Sequence, residues 1–453
     1  MKRKLLLIVL FSINIVLPCF SQNTIKSTAI TIYNQGIGIV NEVRNYDIPK
    51  GLSVLNVIDI PSLIEPSSVH IKFNGEVIEQ NYQYDLVSMT SLLYKYIDQT
   101  ITLTNKEKSY SGKLLSINDN NIILQTDSGL EVFPNLTSYQ INVPKLPEGL
   151  LTRPTLVWKI NSNQAGKQNI NLSYSTSGIT WTAEYVAVLN DKENEISFNS
   201  WVSIDNTSGG RFENAILKLI AGDVHLIQNS NREYIAAKQN VGNTLENALS
   251  TFTEEPFYDY HIYELTTKTT IANNENKQIS LFNADNIKVT KEYWYSDNPL
   301  KYTNGKVMSV LKFKNTKENN LGIPLPKGKV RIFKERGGMS EFIGEDEIGH
   351  TPKDEEIMLK VGNAFDLVAS TTLINSKKIS DKIYENEYSI SLKNHKDEDV
   401  VIKVLRNISG NWEILSSNMP YEKSDAHNFL FNVKVKKSEE VVINYKVRVN
   451  WGD

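Results

Sequence analysis

Asp223 and His225 are the most chemically suggestive pair of residues in this 453-residue sequence. Side chains two positions apart on a β-strand point to the same face, so this carboxylate and this imidazole would lie side by side. Such a pair can ligate a metal ion or orient a general base. A hydrogen-bonded strand end uses the same residue types and is the simpler interpretation, so the pair is a candidate without an assigned role.

An acidic stretch at residues 344–356 is the second candidate. Gly344-Glu345-Asp346-Glu347 is followed, after His350, by Asp354-Glu355-Glu356. Clustered carboxylates suit hard cations such as Ca²⁺, which makes a metal-stabilised surface protein one hypothesis. The spacing matches no EF-hand loop, however, and a solvated charged turn explains the same composition.

The sequence lacks the motifs by which common catalytic sites are recognised. Its six histidines form no HExxH pattern and no pair at i, i+4 spacing, and GxSxG is absent. Gly209-Gly210-Arg211 lacks the spacing and the Lys-Ser/Thr of a phosphate-binding loop. We therefore assign no catalytic, cofactor-binding or metal-binding residue, expect no cofactor, and predict a protein that is not an enzyme. Paired carboxylates for glycoside hydrolysis are recognised only by their separation in space, so a cryptic hydrolase acting on envelope glycan or peptide stays an alternative.

The N-terminus has the pattern of a secretory signal peptide over residues 1–21. Basic Lys2–Lys4 precede the apolar run Leu5–Leu17, and small residues then follow at the cleavage site. The run is shorter than the roughly 20 residues that span a membrane, and the sequence predicts no span in the mature chain. Lipidation of Cys19 is the second interpretation, which Pro18 fits poorly. We expect export to the periplasm or cell surface of a bacterium.

The composition is that of an ordinary soluble globular protein, with 40% hydrophobic and 22% charged residues. Cys19 is the only cysteine, so removal of residues 1–21 would leave a chain without disulfides or a thiolate site. The same removal takes away three basic and no acidic residues, which changes the net charge from −3 to −6. An acidic chain lacks the basic surface that nucleic acid requires, so we expect no nucleic-acid partner, and the oligomeric state stays open.

Alternating apolar residues in the middle of the chain predict three neighbouring strands, arranged as a meander inside a β-sandwich. Their inward-facing sets are Trp181, Ala183, Tyr185, Ala187 and Leu189; Ile196, Phe198, Ser200, Val202 and Ile204; and Ala215, Leu217, Leu219 and Ala221. Trp201 is expected to serve the same core. Asn206–Gly210 is expected to form the turn before the third strand.

We predict an all-β fold of several antiparallel modules with almost no helix. The predicted domains are a signal peptide (1–21), an N-terminal β domain (22–90), a small barrel-like domain (91–145), a β-sandwich (146–372) with a mobile insertion (229–256), and a C-terminal immunoglobulin-like β-sandwich (373–453). Ser91–Asp98 is the predicted helix, with Ser91 as its N-cap. The short, regular strands after it are typical of a small barrel of the SH3 or Sm type.

Several motifs between residues 178 and 366 carry a family resemblance. They are Gly178-Ile179-Thr180-Trp181 with Tyr185; Asp205-Asn206-Thr207-Ser208-Gly209 with Asn214–Leu219; Gly322–Arg331; and Phe342–Asp346, Ile348–Lys353 and Gly362–Asp366. Together they resemble the domain of unknown function 4139, sometimes labelled mucoidy-inhibitor-like, over roughly residues 150–453. Val54–Phe73 more weakly resembles the domain of unknown function 4140, which often lies N-terminal to it.

The resemblance implies an exported or envelope β protein and brings no established reaction, substrate or catalytic residue. Some relatives carry a coiled-coil insertion between the two domains, whereas this sequence has no heptad run there. We therefore expect a noncatalytic binding or structural protein of the bacterial envelope, whose partner is an envelope protein or a surface polymer. Exposed edge strands and residues 229–256 are the expected contact surfaces.

Overall fold

In the computed structural model the chain is built almost entirely of β-strands, so the predicted all-β class with several antiparallel sheets is confirmed. The structure describes residues 24–84, 89–106, 108–118, 121–143, 153–222, 252–257, 260–296 and 306–452. The predicted signal peptide lies outside them. One α-helix occurs in the described residues, α1 at Met89–Tyr94, so Ser91 lies inside the helix and its assignment as N-cap is wrong. No helix in these ranges is long and apolar enough to cross a membrane.

The strands of the first part of the chain are mostly short. They are β1 (Thr24–Tyr33), β2 (Ile37–Ile48), β3 (Gly51–Val57), β4 (His70–Lys72), β5 (Gly75–Gln83), β6 (Thr100–Thr104), β7 (Ser109–Asn118), β8 (Asn121–Thr126), β9 (Gly129–Phe133), β10 (Gln140–Asn142), β11 (Thr155–Ser162) and β12 (Gly166–Ser177). Short 3₁₀ helices cover Pro66–Ser68, Leu136–Ser138 and Lys317–Asn319.

The remaining strands include the longest ones. They are β13 (Ile179–Leu189), β14 (Glu195–Asn206), β15 (Phe212–Ala221), β16 (Phe252–Phe257), β17 (Tyr260–Leu265), β18 (Thr269–Ile271), β19 (Glu275–Lys288), β20 (Thr290–Tyr295), β21 (Met308–Lys314), β22 (Gly328–Arg336), β23 (Met339–Ile348), β24 (Glu356–Asn363), β25 (Leu367–Ser380), β26 (Ile383–Asn394), β27 (Val400–Asn407), β28 (Asn411–Ser417), β29 (Glu422–Lys423), β30 (Asn428–Val435) and β31 (Glu440–Asn450).

The described residues fall into two compact units. The first draws on the ranges Met1–Trp181, Ile204–Ile220 and Glu264–Lys277, and the second on Thr182–Ser203, Ala221–Tyr263 and Gln278–Asp453. The domain boundaries given above from sequence alone stay predictions.

In the first unit, β15 is paired in parallel with β1, and the sheet continues in the order β1, β2, β12, β4. Ile30 lies opposite Leu217, and Ile32 lies opposite Leu219. The predicted meander of three consecutive strands is therefore wrong at its third strand. Alternation reports which face of a strand is buried, and it carries no information on which distant strand will be the neighbour.

A charged pair interrupts the inward-facing residues of β2. Glu42 and Arg44 lie on the same face of β2 as Val40 and Tyr46. The side chains of Glu42 and Arg44 are both buried. The guanidinium donates to Glu42 Oε2 from Nε at 2.7 Å and to the main-chain carbonyl of Ile58 from Nη1 at 2.6 Å. Because a buried charge is tolerated only when paired and hydrogen-bonded, the pair fixes the segment after β3 against this sheet.

The segment predicted to be a small barrel is an open sheet. Its five strands have the order β10, β6, β7, β8, β9, and within the described residues the end strands β9 and β10 do not pair. The sheet has a core of its own that includes Leu93 and Leu124. The barrel prediction is wrong because short alternating strands show that one face is buried, but closure depends on the pairing of the two ends.

In the second unit, β13 and β14 are neighbours in a sheet of order β19, β14, β13, β22, β23. Tyr185 and Phe198 from these strands are buried and stack at a centroid distance of 5.1 Å. The predicted inward-facing residues of both strands are buried. Trp201 is 42% exposed, so its assignment to the core is wrong. Successive residues of a strand point to opposite faces, and Trp201 lies between the inward-facing residues Ser200 and Val202.

Two further sheets of the second unit enclose one hydrophobic core and form a β-sandwich, which includes strands β20, β21 and β24 from before residue 373. Their orders are β24, β21, β20, β27, β30, β29 and β25, β26, β31, β28. Both sheets contribute to the core, for example through Ile390 and Phe431. The pair β20–β27 is parallel, and the boundary predicted at residue 372 falls inside β25. The immunoglobulin-like topology of this sandwich stays a prediction.

Replacing Trp181 with alanine is expected to destabilise the protein by about 3–5 kcal/mol, because the side chain is fully buried and its Nε1 donates to the Ile220 carbonyl at 3.2 Å. Trp201→Ala, the matched control on the exposed face of β14, is expected to cost about 1 kcal/mol or less. Denaturant unfolding followed by circular dichroism measures both. Equal losses for the two variants would contradict the assigned faces.

Candidate functional site

The first predicted site cannot be placed, because Asp223 and His225 lie outside the described residues. The same holds for residues 229–251 of the predicted insertion. Its remaining residues, 252–256, belong to β16.

The acidic stretch at residues 344–356 runs from the end of strand β23 to the first residue of β24, and its carboxylates do not converge. Glu347 lies 3.1 Å from Lys327, which directly precedes the neighbouring strand β22, and Glu345 lies 3.7 Å from Lys329 on β22. Asp346 Oδ2 accepts the main-chain N–H of Lys360 at 2.8 Å. Among the described residues, no group of three or more His, Cys, Asp or Glu side chains is placed to hold a metal ion. The stretch is a ladder of cross-strand charge pairs.

The motif Asp205–Gly209 is a hydrogen-bonded turn at the end of β14. Asn206 is fully buried and donates from Nδ2 to the carbonyls of Gly210 at 2.9 Å and Ala272 at 2.8 Å. Its Oδ1 accepts the hydroxyl of Ser208 at 2.7 Å. Gly209 has a φ of +81°, and a Cβ there would lie 1.9 Å from Ser62 Oγ. These residues specify a corner of the chain.

The first part of the motif Gly322–Arg331, which follows β21 and contains Pro324 and Pro326, is a second corner of the chain. Side chains from elsewhere in the unit donate hydrogen bonds to its carbonyls. Fully buried Asn315 donates from Nδ2 to the carbonyls of Ile323 at 2.7 Å and Pro352 at 2.8 Å. The Tyr185 hydroxyl donates to the Pro326 carbonyl at 2.6 Å, and burial raises the pKa of this phenol. Since such hydrogen bonds satisfy carbonyls in a buried irregular segment, the motif is explained structurally.

A histidine–carboxylate contact joins β16 and β17, where His261 Nδ1 lies 2.6 Å from Glu254 Oε1. The sequence analysis missed this contact, because the two residues are seven positions apart and meet only because β16 and β17 are neighbours in a sheet. A carboxylate can orient a histidine that acts as a base, but a hydrolytic site also requires a nucleophile within reach. In the described part of the chain the imidazole has no hydroxyl group as a hydrogen-bond partner.

An open groove of about 340 Å³ lies on the second unit. It is lined by Lys288, Thr290, Glu292, Lys312, Phe313, Lys314, Thr316, Glu318, Asn319 and Glu356. Most of its charges are already paired. Lys312 lies 2.8 Å from Glu356, and Glu292 accepts the ammonium of Lys403 at 2.7 Å. The groove therefore presents little net charge to a ligand.

The edge strand β25 is the most accessible feature of the C-terminal sandwich. It is fourteen residues long and, within the described structure, has a neighbour on one side only, β26. Residues 372–380 are all exposed, and their exposed apolar side chains are Leu373, Ile374 and Ile379. An edge strand presents unpaired N–H and C=O groups and is a template for pairing with another chain. We take this edge as the candidate functional site.

A row of alternating charges crosses the outer face of the same sheet. Lys377 on β25 lies opposite Glu385 on β26, which lies opposite Arg448 on β31, which lies opposite Glu413 on β28. Opposite charges in directly facing strand positions stabilise pairing. The row therefore runs as cation, anion, cation, anion, and its cationic end lies at the free edge.

Glu385 is the centre of this row. Its Oε1 accepts Arg448 Nη2 at 2.7 Å, and its Oε2 accepts Lys446 Nζ at 2.7 Å. These hydrogen bonds, first to Lys446 and then to Arg448, lower the pKa of the Glu385 carboxyl to about 2. The carboxylate is thus ionised at every physiological pH, and both of its oxygens are occupied.

The sequence analysis assigned no strand to β25, and there is a physical reason. The strand has no regular alternation, because two bulges interrupt it between Leu373 and Asn375 and between Lys378 and Ser380. Lys377 and Lys378, adjacent in this part of the sequence, were the available signal for an edge.

No protein-family model matches the chain, and no curated protein matches its sequence.

The hydrogen bonds of Glu385 should make the stability of the fold depend on pH between 4.5 and about 2. A carboxyl whose folded pKa is lowered stabilises the fold above its ordinary value of 4.5, and this contribution is lost as pH falls towards about 2. Glu385→Gln should therefore lower the melting temperature at neutral pH. The difference in melting temperature from wild type should disappear as the pH falls from 4.5 to about 2. Calorimetry across this range measures it.

Glu413→Gln is the matched control, since Glu413 is 70% exposed and lies 4.0 Å from Arg448. It should change the melting temperature little at any pH. A difference between Glu385→Gln and wild type that persists at the lowest pH would show that the carboxylate does not act through its charge.

Proposed function

We propose that the protein is an exported protein of the bacterial envelope that acts without catalysis, by binding an envelope protein or a surface polymer. The observation that carries the binding proposal is the free edge of β25, where a long strand offers its backbone groups to solvent. Addition of a partner strand to such an edge is a common mode of protein recognition. The proposal of export rests on the pattern of residues 1–21.

We also propose a relationship to the domain of unknown function 4139. This proposal rests on motif resemblance alone. Two of the motifs, around Asn206 and after Asn315, form buried hydrogen-bonded corners. Corners of this kind require particular residues whatever the protein binds, so the resemblance supports a shared architecture and assigns no ligand.

A photo-crosslinking side chain at Ser370, exposed on β25, is expected to give a discrete crosslinked product in intact cells of the native host. The same side chain at Asp191, exposed in the turn after β13, is the matched control and should give none. Mass spectrometry identifies the product and should find a mature chain that begins at Gln22. No product at Ser370, the same products at both positions, or an envelope form that retains Met1 would contradict the proposal.

A further inference from the structure

We infer that the free edge of β25 binds an extended segment of another protein that places a carboxylate opposite Lys377. This inference rests on the proposed binding function and specifies the chemistry of the partner. It excludes, for this site, a basic segment and a second copy of the same chain.

The first step is the state of Lys377. The lysine lies opposite Glu385 in the strand register, yet the oxygens of that carboxylate accept Lys446 and Arg448 instead. Within the described residues, Lys377 has no carboxylate partner. The row across the sheet therefore ends in an unpaired cation, and it ends at the strand whose outer side has no neighbour.

The second step follows from the geometry of strand addition. A strand added outside β25 puts one of its residues directly opposite Lys377, on the same face of the sheet. A carboxylate at that position continues the alternation of charge that the row already has over four strands. A lysine or arginine there faces a like charge, which is destabilising.

The third step concerns the other positions of the partner. Leu373 is 51% exposed and lies opposite Tyr388, on the core face of the sheet. Val368 is 47% exposed and lies opposite Lys393, on the outer face that also carries Lys377. They are apolar positions that an added strand can cover. The expected partner segment thus alternates acidic residues with apolar or β-branched ones, as strands on half-buried surfaces do.

The fourth step is the exclusion of self-association. Lys377 and Lys378 are adjacent, and β25 contains no acidic residue. A second β25 strand therefore supplies no carboxylate to either lysine. Lysines and bulges on an edge are devices by which proteins suppress pairing with their own copies. Lys378 is already paired with Asp381 at 2.8 Å, so Lys377 is the lysine that selects an acidic partner, since specificity combines attraction with repulsion.

The inference is tested with the full mature protein and a short synthetic peptide in which Glu alternates with Val. Its counterpart carries Lys at every Glu position. Fluorescence anisotropy of labelled peptides is expected to show that the Glu peptide binds about tenfold tighter or better. This preference should weaken as salt is added, because the charges are exposed.

Lys377→Glu is expected to reverse the order of the two peptides. Lys393→Glu, a charge reversal on the same outer face but on the interior strand β26, is the matched control and should keep the wild-type order. Circular dichroism checks that both variants are folded. Equal binding of the two peptides, or a preference unchanged in Lys377→Glu, would overturn the inference.

Two outcomes separate this inference from the proposed function. If the peptide preference fails while Ser370 still crosslinks a specific product, the edge binds a partner by other chemistry, and only the acidic specificity is lost. If sedimentation shows a dimer that Val368→Lys dissociates, a second copy occupies the edge, and the inference is overturned.

Discussion

The structure depends on one constraint, which is that each strand buries one face and needs hydrogen-bonding neighbours along its edges. Alternating side chains bury one face of strands such as β13 and β14, where Tyr185 and Phe198 pack together. In the irregular segments between strands, buried polar side chains form hydrogen bonds with main-chain carbonyls. Asn206 and Asn315 are the clearest examples. Within the described residues, edge pairing stays unmet on the end strands of the sheets, and β25, with fourteen residues, is one of the two longest of these.

The outer face of the C-terminal sheet shows how the unmet edge becomes a site of defined chemistry. Glu385 accepts hydrogen bonds from Lys446 and Arg448, which fixes these three side chains across neighbouring strands. The carboxylate is thereby saturated, and Lys377 is left as the charge at the edge. The hydrogen bonds between Glu385 and β31 thus leave the positive charge of Lys377 at the free edge of the sheet. Bulges and lysines protect the edge from its own copies while leaving it open to a complementary strand.

The sequence predicts which residues of a strand are buried, but it does not predict which strands distant in the chain will pair. Alternation identified the buried residues of β13, β14 and β15, because period-two burial is written in neighbouring positions. It failed for the pairing of β15 with β1 and for closure of the small sheet, since both depend on strands far apart in the chain. It failed for Trp201 because residue type was given more weight than position. The site was missed altogether, because an exposed, bulged edge strand leaves no alternating pattern and its charge row is assembled from four separate strands.

Residue-resolved hydrogen exchange of the isolated mature protein tests the availability of this edge most directly. In an antiparallel pair, alternate residues of β25 donate to β26 while the others point away from the sheet. The account predicts an alternation along Leu367–Leu373, with protected amides separated by amides that exchange rapidly, and continuous protection in the interior strand β26. Uniform protection of all amides of β25 would mean that its outer side is already covered. That result would contradict an edge open to a partner strand.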